Sequence, residues 1–89
     1  MEWQFDFHKS ALKFIEINKI SQSEIINIIA KVIKKFEGED ININIVKLKG
    51  IWFGFYRIRV GKIRIIAEFN FNNRLVYIEK IDWRGNAYK

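Results

Sequence analysis

The sequence contains no cysteine, one histidine, and no apolar run near the roughly 20 residues that a membrane-spanning helix needs. Without cysteine the chain forms no disulfide, offers no thiolate nucleophile and builds no cysteine-based zinc finger. Residues 1–6 lack the basic stretch and following apolar block that are typical of a signal peptide. These absences together predict a cytoplasmic protein.

The residues that are present favour one folded domain. Of the 89 residues, 49% are hydrophobic and 16% are aromatic, which excludes a disordered tail although 29% are charged. A chain this short buries only about two-thirds of the surface that it exposes when unfolded. All of its elements must therefore share one core, and we predict a single domain over residues 1–89.

Two helices are predicted in the first half. A short helix is expected over residues 10–17. Ser21 and Glu24 have the spacing of a capping box, which begins a second helix. The apolar residues that follow recur every three or four positions, as an amphipathic helix requires: Ile25, Ile28, Ile29, Val32, Ile33 and Phe36.

Strands precede and follow these helices. Trp3, Phe5 and Phe7 alternate with polar residues, as in a half-buried strand. A period of two later in the chain predicts strands over residues 45–49, 53–60, 62–70 and 75–81. The order β-α-α-β-β-β(-β) predicts an α+β fold, with the two N-terminal helices packed on one face of a small, mainly antiparallel, twisted sheet.

Basic residues are concentrated in the second half of the chain. Residues 1–44 carry a formal charge of −1, whereas residues 45–89 carry +7 and all of the arginines. This separation of charge indicates a polyanionic partner on one side of the molecule. A basic surface that only keeps the protein soluble is the alternative.

The turn Gly61-Lys62 decides which side chains share a face of the predicted sheet. Glycine in the first position of a two-residue connection is typical of a type II′ hairpin. Such a hairpin opposes Arg59 to Arg64, and strand alternation places Arg57 on the same face. The other face, which the helices can cover, receives Tyr56, Ile58, Val60, Ile63, Ile65 and Ala67.

Arginines that oppose each other across two strands are destabilising unless an anion lies between them. Glu68 can neutralise one of the three guanidiniums but not all of them. Phosphate is the more economical explanation, because guanidinium groups bind it through paired hydrogen bonds. Lys47 and Lys49, two residues apart in a predicted strand, are expected to point toward this same face, although lysines also protect edge strands from aggregation.

Three segments of the second half together resemble the RelE/ParE toxin superfamily. They are Lys47-Leu48-Lys49-Gly50, then Tyr56-Arg57-Ile58-Arg59-Val60-Gly61-Lys62-Ile63-Arg64, then Arg84-Gly85-Asn86-Ala87-Tyr88-Lys89. They follow in order the superfamily's Leu-Lys-Gly, Tyr-Arg-x-Arg-x-Gly-x-x-Arg and Arg-Gly-x-x-Tyr patterns. The match covers roughly residues 46–89, and the preceding residues agree only in their strand–helix–helix order.

The resemblance implies the toxin of a type II toxin–antitoxin system. Such a toxin is an mRNA interferase, a metal-independent endoribonuclease that cuts messenger RNA on the ribosome and inhibits translation without a cofactor. An acidic, partly disordered, RelB-like antitoxin holds it inactive. The 2′-hydroxyl of the RNA attacks the adjacent phosphate, which requires a proton acceptor, stabilisation of the developing charge, and assistance to the leaving 5′-oxygen.

The resemblance also assigns these tasks to residue types in this chain. The predicted catalytic residues are Lys47, Lys49, Arg59, Arg64, Arg84 and Tyr88, and the predicted RNA-binding residues are Arg57, Lys62, Trp83 and Lys89. The arginines stabilise charge, Arg84 contacts the phosphate or assists the leaving group, and Tyr88 contacts the RNA. Lys47 or Lys49 accepts the proton, in the neutral form that neighbouring positive charges favour.

Other functions stay open at this point. Many relatives have histidine where this chain has Trp83, so proton transfer by an imidazole is excluded there, and Trp83 either packs in the core or stacks on a base. The ParE branch binds DNA gyrase and cuts nothing, and a non-catalytic RNA-binding module would also explain the charge. A metal site is not expected, because His8 and the carboxylates of the second half lack ligand spacing.

Overall fold

The computed structural model describes residues 2–84, and its elements follow the predicted order. They are β1 (Gln4–Phe7), α1 (Lys9–Ile17), α2 (Gln22–Phe36), β2 (Asn44–Lys47), a 3₁₀ turn (Gly50–Trp52), β3 (Phe55–Val60), β4 (Ile63–Asn70) and β5 (Leu75–Trp83). The predicted α+β fold is confirmed. Within residues 2–84, no helix has the length and apolarity to span a bilayer.

The strands form one mixed sheet in the order β1-β5-β4-β3-β2. Neighbours among β2, β3, β4 and β5 are antiparallel, whereas β1 pairs with β5 in parallel. The two helices carry the chain from β1 at one edge of the sheet to β2 at the other. This path leaves β4 in the middle of the sheet, with β3 and β5 on either side.

The core lies between the helices and one face of the sheet. Side chains of both helices and of the three central strands form it: Ala11, Ile15, Ile25, Ile29, Val32, Ile33, Ile58, Ile65, Ala67, Val76, Ile78 and Ile81. Because strand residues alternate between faces, the neighbours of these residues in β3, β4 and β5 lie on the face away from the helices. That second face carries the candidate site.

Side chains cap the N-termini of both helices. The Ser21 Oγ accepts a hydrogen bond from the Glu24 N–H at 3.1 Å, which confirms the predicted start of α2. The His8 Nδ1 accepts a hydrogen bond from the Ser10 N–H at 3.1 Å. The single histidine therefore has a structural role at the beginning of α1, which the sequence did not indicate.

Replacing Ser21 with alanine is expected to lower the free energy of unfolding by about 1 kcal/mol, because the Glu24 N–H loses its side-chain acceptor. Urea denaturation of the wild type and the variant measures the difference. Ser23→Ala, an equally small change at an exposed position of the same turn, is the matched control. An equal loss in the two variants would contradict the capping role of Ser21.

Candidate nucleic-acid interface

The β3–β4 hairpin has the predicted register. Val60 opposes Ile63 and Arg59 opposes Arg64. Gly61 has a φ of 57°, in the left-handed region, whereas Lys62 is not among the described residues with positive φ. This combination fits the type II′ turn. The prediction that Arg59 and Arg64 are cross-strand neighbours is confirmed.

Arg57, Arg59 and Arg64 form a surface that we call the arginine face. It lies on the side of the sheet away from the helices, because the alternating residues Ile58 and Ile65 are fully buried in the core. Arg64 is only 5% exposed. The Nε atoms of all three side chains are shielded from water. Guanidinium atoms that are shielded from water lose hydration, so a bound anion stabilises them more than it would stabilise exposed groups.

Few carboxylates lie beside these arginines. In the described sheet, one row across the strands contains Asn44, Arg59, Arg64 and Asp82, and the next contains Val46, Arg57, Ile66 and Lys80. The Asp82 Oδ1 also accepts a hydrogen bond from the Trp83 N–H at 2.7 Å. Glu68 opposes Phe55 and Tyr77 instead of an arginine. These two rows therefore carry four cations and one carboxylate.

Arg84 is held beside the hairpin turn by two hydrogen bonds. Its backbone N–H donates to the Lys62 carbonyl at 2.8 Å, and its Nη1 donates to the Gly61 carbonyl at 3.0 Å. These contacts bring a fourth guanidinium to the end of the sheet where Arg59 and Arg64 lie. The fold thus joins two of the three segments on which the resemblance depends.

A surface cavity of about 560 Å³ opens at this end of the sheet. Its lining consists of Arg59, Gly61, Lys62, Arg64, Trp83 and Arg84. The Trp83 ring packs edge-on against Phe14 of α1, with 5.2 Å between ring centroids, and is 38% exposed. Trp83 therefore packs against a helix and also forms a cavity wall. The cavity combines cations with an aromatic surface, which suits a nucleotide.

The two predicted lysines do not lie together on the arginine face. Lys47 opposes Tyr56, whose ring packs against Phe36 of α2 with 5.1 Å between centroids. Lys47 therefore lies on the helix side of the sheet, and the prediction that it points toward the arginines is wrong. Lys49 lies beyond the end of β2, where its carbonyl accepts the Trp52 N–H. Neither Lys47 nor Lys49 is among the described residues that line the cavity.

The remaining predicted site residues have varied positions. Lys62 is exposed in the hairpin turn and lines the cavity. Arg57 lies one row from Arg59 on the arginine face, outside the cavity lining. Tyr88 and Lys89 lie outside the described residues.

The opposite end of the same sheet face is acidic. Asp6, Tyr77 and Glu68 lie side by side across β1, β5 and β4. Desolvation of the phenol, together with the charges of Glu79 and Asp6, raises the pKa of Tyr77 above its usual value. The phenol is therefore neutral at physiological pH. Positive charge is therefore concentrated at the hairpin end of the face and negative charge at this end.

The fold is shared with solved toxin structures. No protein-family model matches the chain, and no curated protein matches it by sequence. A chain of the archaeal RelE–RelB complex from Pyrococcus horikoshii is 24% identical, with a TM-score of 0.59 and coverage of 98% of this chain and 100% of that chain. For the RelB–RelE antitoxin–toxin complex from Methanococcus jannaschii the identity is 24%, the TM-score 0.59 and the coverage 93% and 94%.

A third match has lower identity and a higher structural similarity. YafQ from E. coli is 9% identical, with a TM-score of 0.68 and coverage of 99% of this chain and 100% of that chain. Almost the whole of each chain is aligned in all three comparisons. The chain therefore shares its fold with these RelE-complex and YafQ chains.

Proposed function

We propose that this protein is the toxin of a type II toxin–antitoxin system and a metal-independent endoribonuclease that cuts messenger RNA on the ribosome. The observation that carries the proposal is the cavity of about 560 Å³ at which Arg59, Arg64 and Arg84 meet. All three belong to the segments that resemble RelE toxins. The RelE-like fold supports the same assignment.

The chemistry of the cavity suits attack by a 2′-hydroxyl. The attacking oxygen forms a bond to the adjacent phosphorus while the bond from phosphorus to the 5′-oxygen breaks, and negative charge builds on the phosphoryl oxygens. Guanidinium donors held in place before the reaction stabilise that charge without reorganising. In the proposal Arg59 and Arg64 donate to the phosphoryl oxygens, and Arg84 assists the leaving 5′-oxygen.

The arginines do not accept the 2′-hydroxyl proton, because a guanidinium stays protonated in proteins. Their proposed contribution is therefore electrostatic. Of the two lysines predicted as proton acceptors, Lys47 lies on the helix side of the sheet. Lys49, which is exposed beyond the end of β2, does not line the cavity either, so the proposal passes the proton to water at the open cavity.

A RelB-like acidic antitoxin is the proposed partner. The Pyrococcus and Methanococcus structures are complexes that contain RelB. In this chain the arginine face and the cavity present the same positive charge to an acidic peptide as to RNA. An acidic segment bound at these cations would exclude RNA from the cavity.

The test is to add the purified protein to translating ribosomes and to map the 5′ ends of the message. We expect cuts within the codon at the ribosomal A site. The new ends should carry a 5′-hydroxyl, and so require phosphorylation before ligation, because attack by the 2′-hydroxyl leaves a 2′,3′-cyclic phosphate on the other fragment. Arg84→Ala should reduce the cuts about tenfold or more.

The matched control is Arg74→Asn, which removes the same charge from an exposed turn residue with a φ of 53°. Asparagine tolerates this backbone conformation, so the variant should fold and cut like the wild type. Cutting by Arg84→Ala at the wild-type level would show that the cavity takes no part in the reaction. Inhibition of gyrase supercoiling without cuts would instead indicate ParE-like activity, and RNA binding without either would indicate a binding module.

A further inference from the structure

The loop between β2 and β3 carries the most exposed large apolar side chains in the described part of the chain. Ile51 is 94% exposed and Phe53 is 77% exposed. Each large apolar side chain left in water forgoes the stabilisation that burial provides. Adjacent exposed apolar side chains of this kind are typical of binding surfaces.

The backbone holds this loop in a defined conformation. The Trp52 N–H donates to the Lys49 carbonyl at 3.3 Å, and the Phe53 N–H donates to the Gly50 carbonyl at 3.0 Å. Gly50 and Gly54 have φ values of 67° and 94°, which glycine adopts at little cost. Gly50 begins the 3₁₀ turn and Gly54 follows two residues after its end, so the exposure of Ile51 and Phe53 follows from an ordered backbone.

The loop connects to the arginine face through the rings of Trp52 and Phe55. The Trp52 ring contacts the Phe55 ring edge-on, with 5.5 Å between centroids. Phe55 begins β3, two residues before Arg57, and so lies on the same side of the sheet. Four residues of extended strand, about 13 Å, separate Phe55 from Arg59 at the cavity. That distance is short enough for one RNA strand to reach both places.

The segment that carries the loop is basic, and the Glu68 carboxylate of β4 lies beside Gly54. Residues 44–60 contain Lys47, Lys49, Arg57 and Arg59 and no acidic residue. Aromatic rings set among cations bind single-stranded nucleic acid, because the cations contact phosphates while the bases stack on the rings.

We propose that Trp52 and Phe53 form a base-stacking platform for single-stranded RNA, next to the nucleotide whose phosphate occupies the arginine cavity. The inference rests on the proposed function and extends the RNA contacts to uncharged residues. Stacking accepts all four bases, since each has a π-face. The platform therefore adds affinity and holds the message in line with the cavity, without selecting a sequence.

The test compares Phe53→Leu, which keeps an apolar side chain but removes the ring, with Phe53→Tyr, which keeps the ring. Fluorescence anisotropy measures the Kd for a labelled single-stranded RNA of about eight nucleotides, a length in the range of known single-strand sites. Its 2′-hydroxyls are methylated to prevent cleavage. Phe53→Leu should raise Kd by about 5-fold to 100-fold, and Phe53→Tyr should bind like the wild type.

An RNA of the same length with abasic sites distinguishes stacking from phosphate binding. The wild type should bind the complete RNA more tightly than the abasic RNA, and Phe53→Leu should lose most of that preference. Equal affinities of the wild type and Phe53→Leu for the complete RNA would overturn the platform, even if the wild type still cuts message on ribosomes. A wild-type protein that neither binds this RNA nor cuts message would overturn both the platform and the proposed nuclease.

Discussion

Replacing Arg59 with alanine is expected to lower the single-turnover rate of RNA cleavage about 100-fold to 1,000-fold, because the variant lacks one fixed donor to the phosphoryl oxygens where charge develops. Arg59 lines the cavity and opposes Arg64 across the hairpin. Arg59→Lys keeps the positive charge but loses the planar fork that matches phosphate, so it should recover only part of the rate. Cleavage of ribosome-bound message at saturating protein measures the effect.

Two controls make this result specific to the site. Arg74→Asn removes one arginine at the far end of the β4–β5 hairpin and should keep the wild-type rate. Thermal denaturation of each variant then distinguishes a loss of chemistry from a loss of structure. A folded Arg59→Ala variant with the wild-type rate would show that the arginine face does not hold the reacting phosphate.

Replacing Ile65 with alanine is expected to lower the free energy of unfolding by about 2–5 kcal/mol, because the change leaves a cavity in the centre of the core. Ile65 is fully buried in β4, between Ile58 on β3 and Ile81 on β5. A protein of this length has a total stability of roughly 4–13 kcal/mol, so this one substitution removes a large part of it. Urea denaturation measures the difference.

Ile51→Ala is the matched control, since it removes the same atoms from a side chain that is 94% exposed. Its effect on the free energy of unfolding should stay within about 0.5 kcal/mol. Ile65→Val, which removes one methyl group, should fall between the two, at about 0.5–1.5 kcal/mol. Similar losses for Ile65→Ala and Ile51→Ala would contradict the assignment of Ile65 to the core.

Local patterns in the sequence were sufficient to predict the elements and one face of the site. The capping residue Ser21 and the apolar period of three to four residues predicted α2. The two-residue turn at Gly61 set the register of β3 against β4, and alternation then placed Arg57, Arg59 and Arg64 together. These predictions succeeded because each depends on residues that are close in the chain, where turn geometry and side-chain period determine the outcome.

Only the tertiary structure decided which residues from distant segments meet. Lys47 was assigned to the wrong face because the register of β2 depends on the conformation of the loop before β3, and a shift of one residue reverses every side chain. The position of Arg84 depends on hydrogen bonds to the carbonyls of Gly61 and Lys62, more than 20 residues earlier in the chain. The composition of residues 1–89 and their local periods thus determined the helices, the strands and the arginine face. The order of the strands and the cavity followed from contacts between distant segments, which no local period encodes.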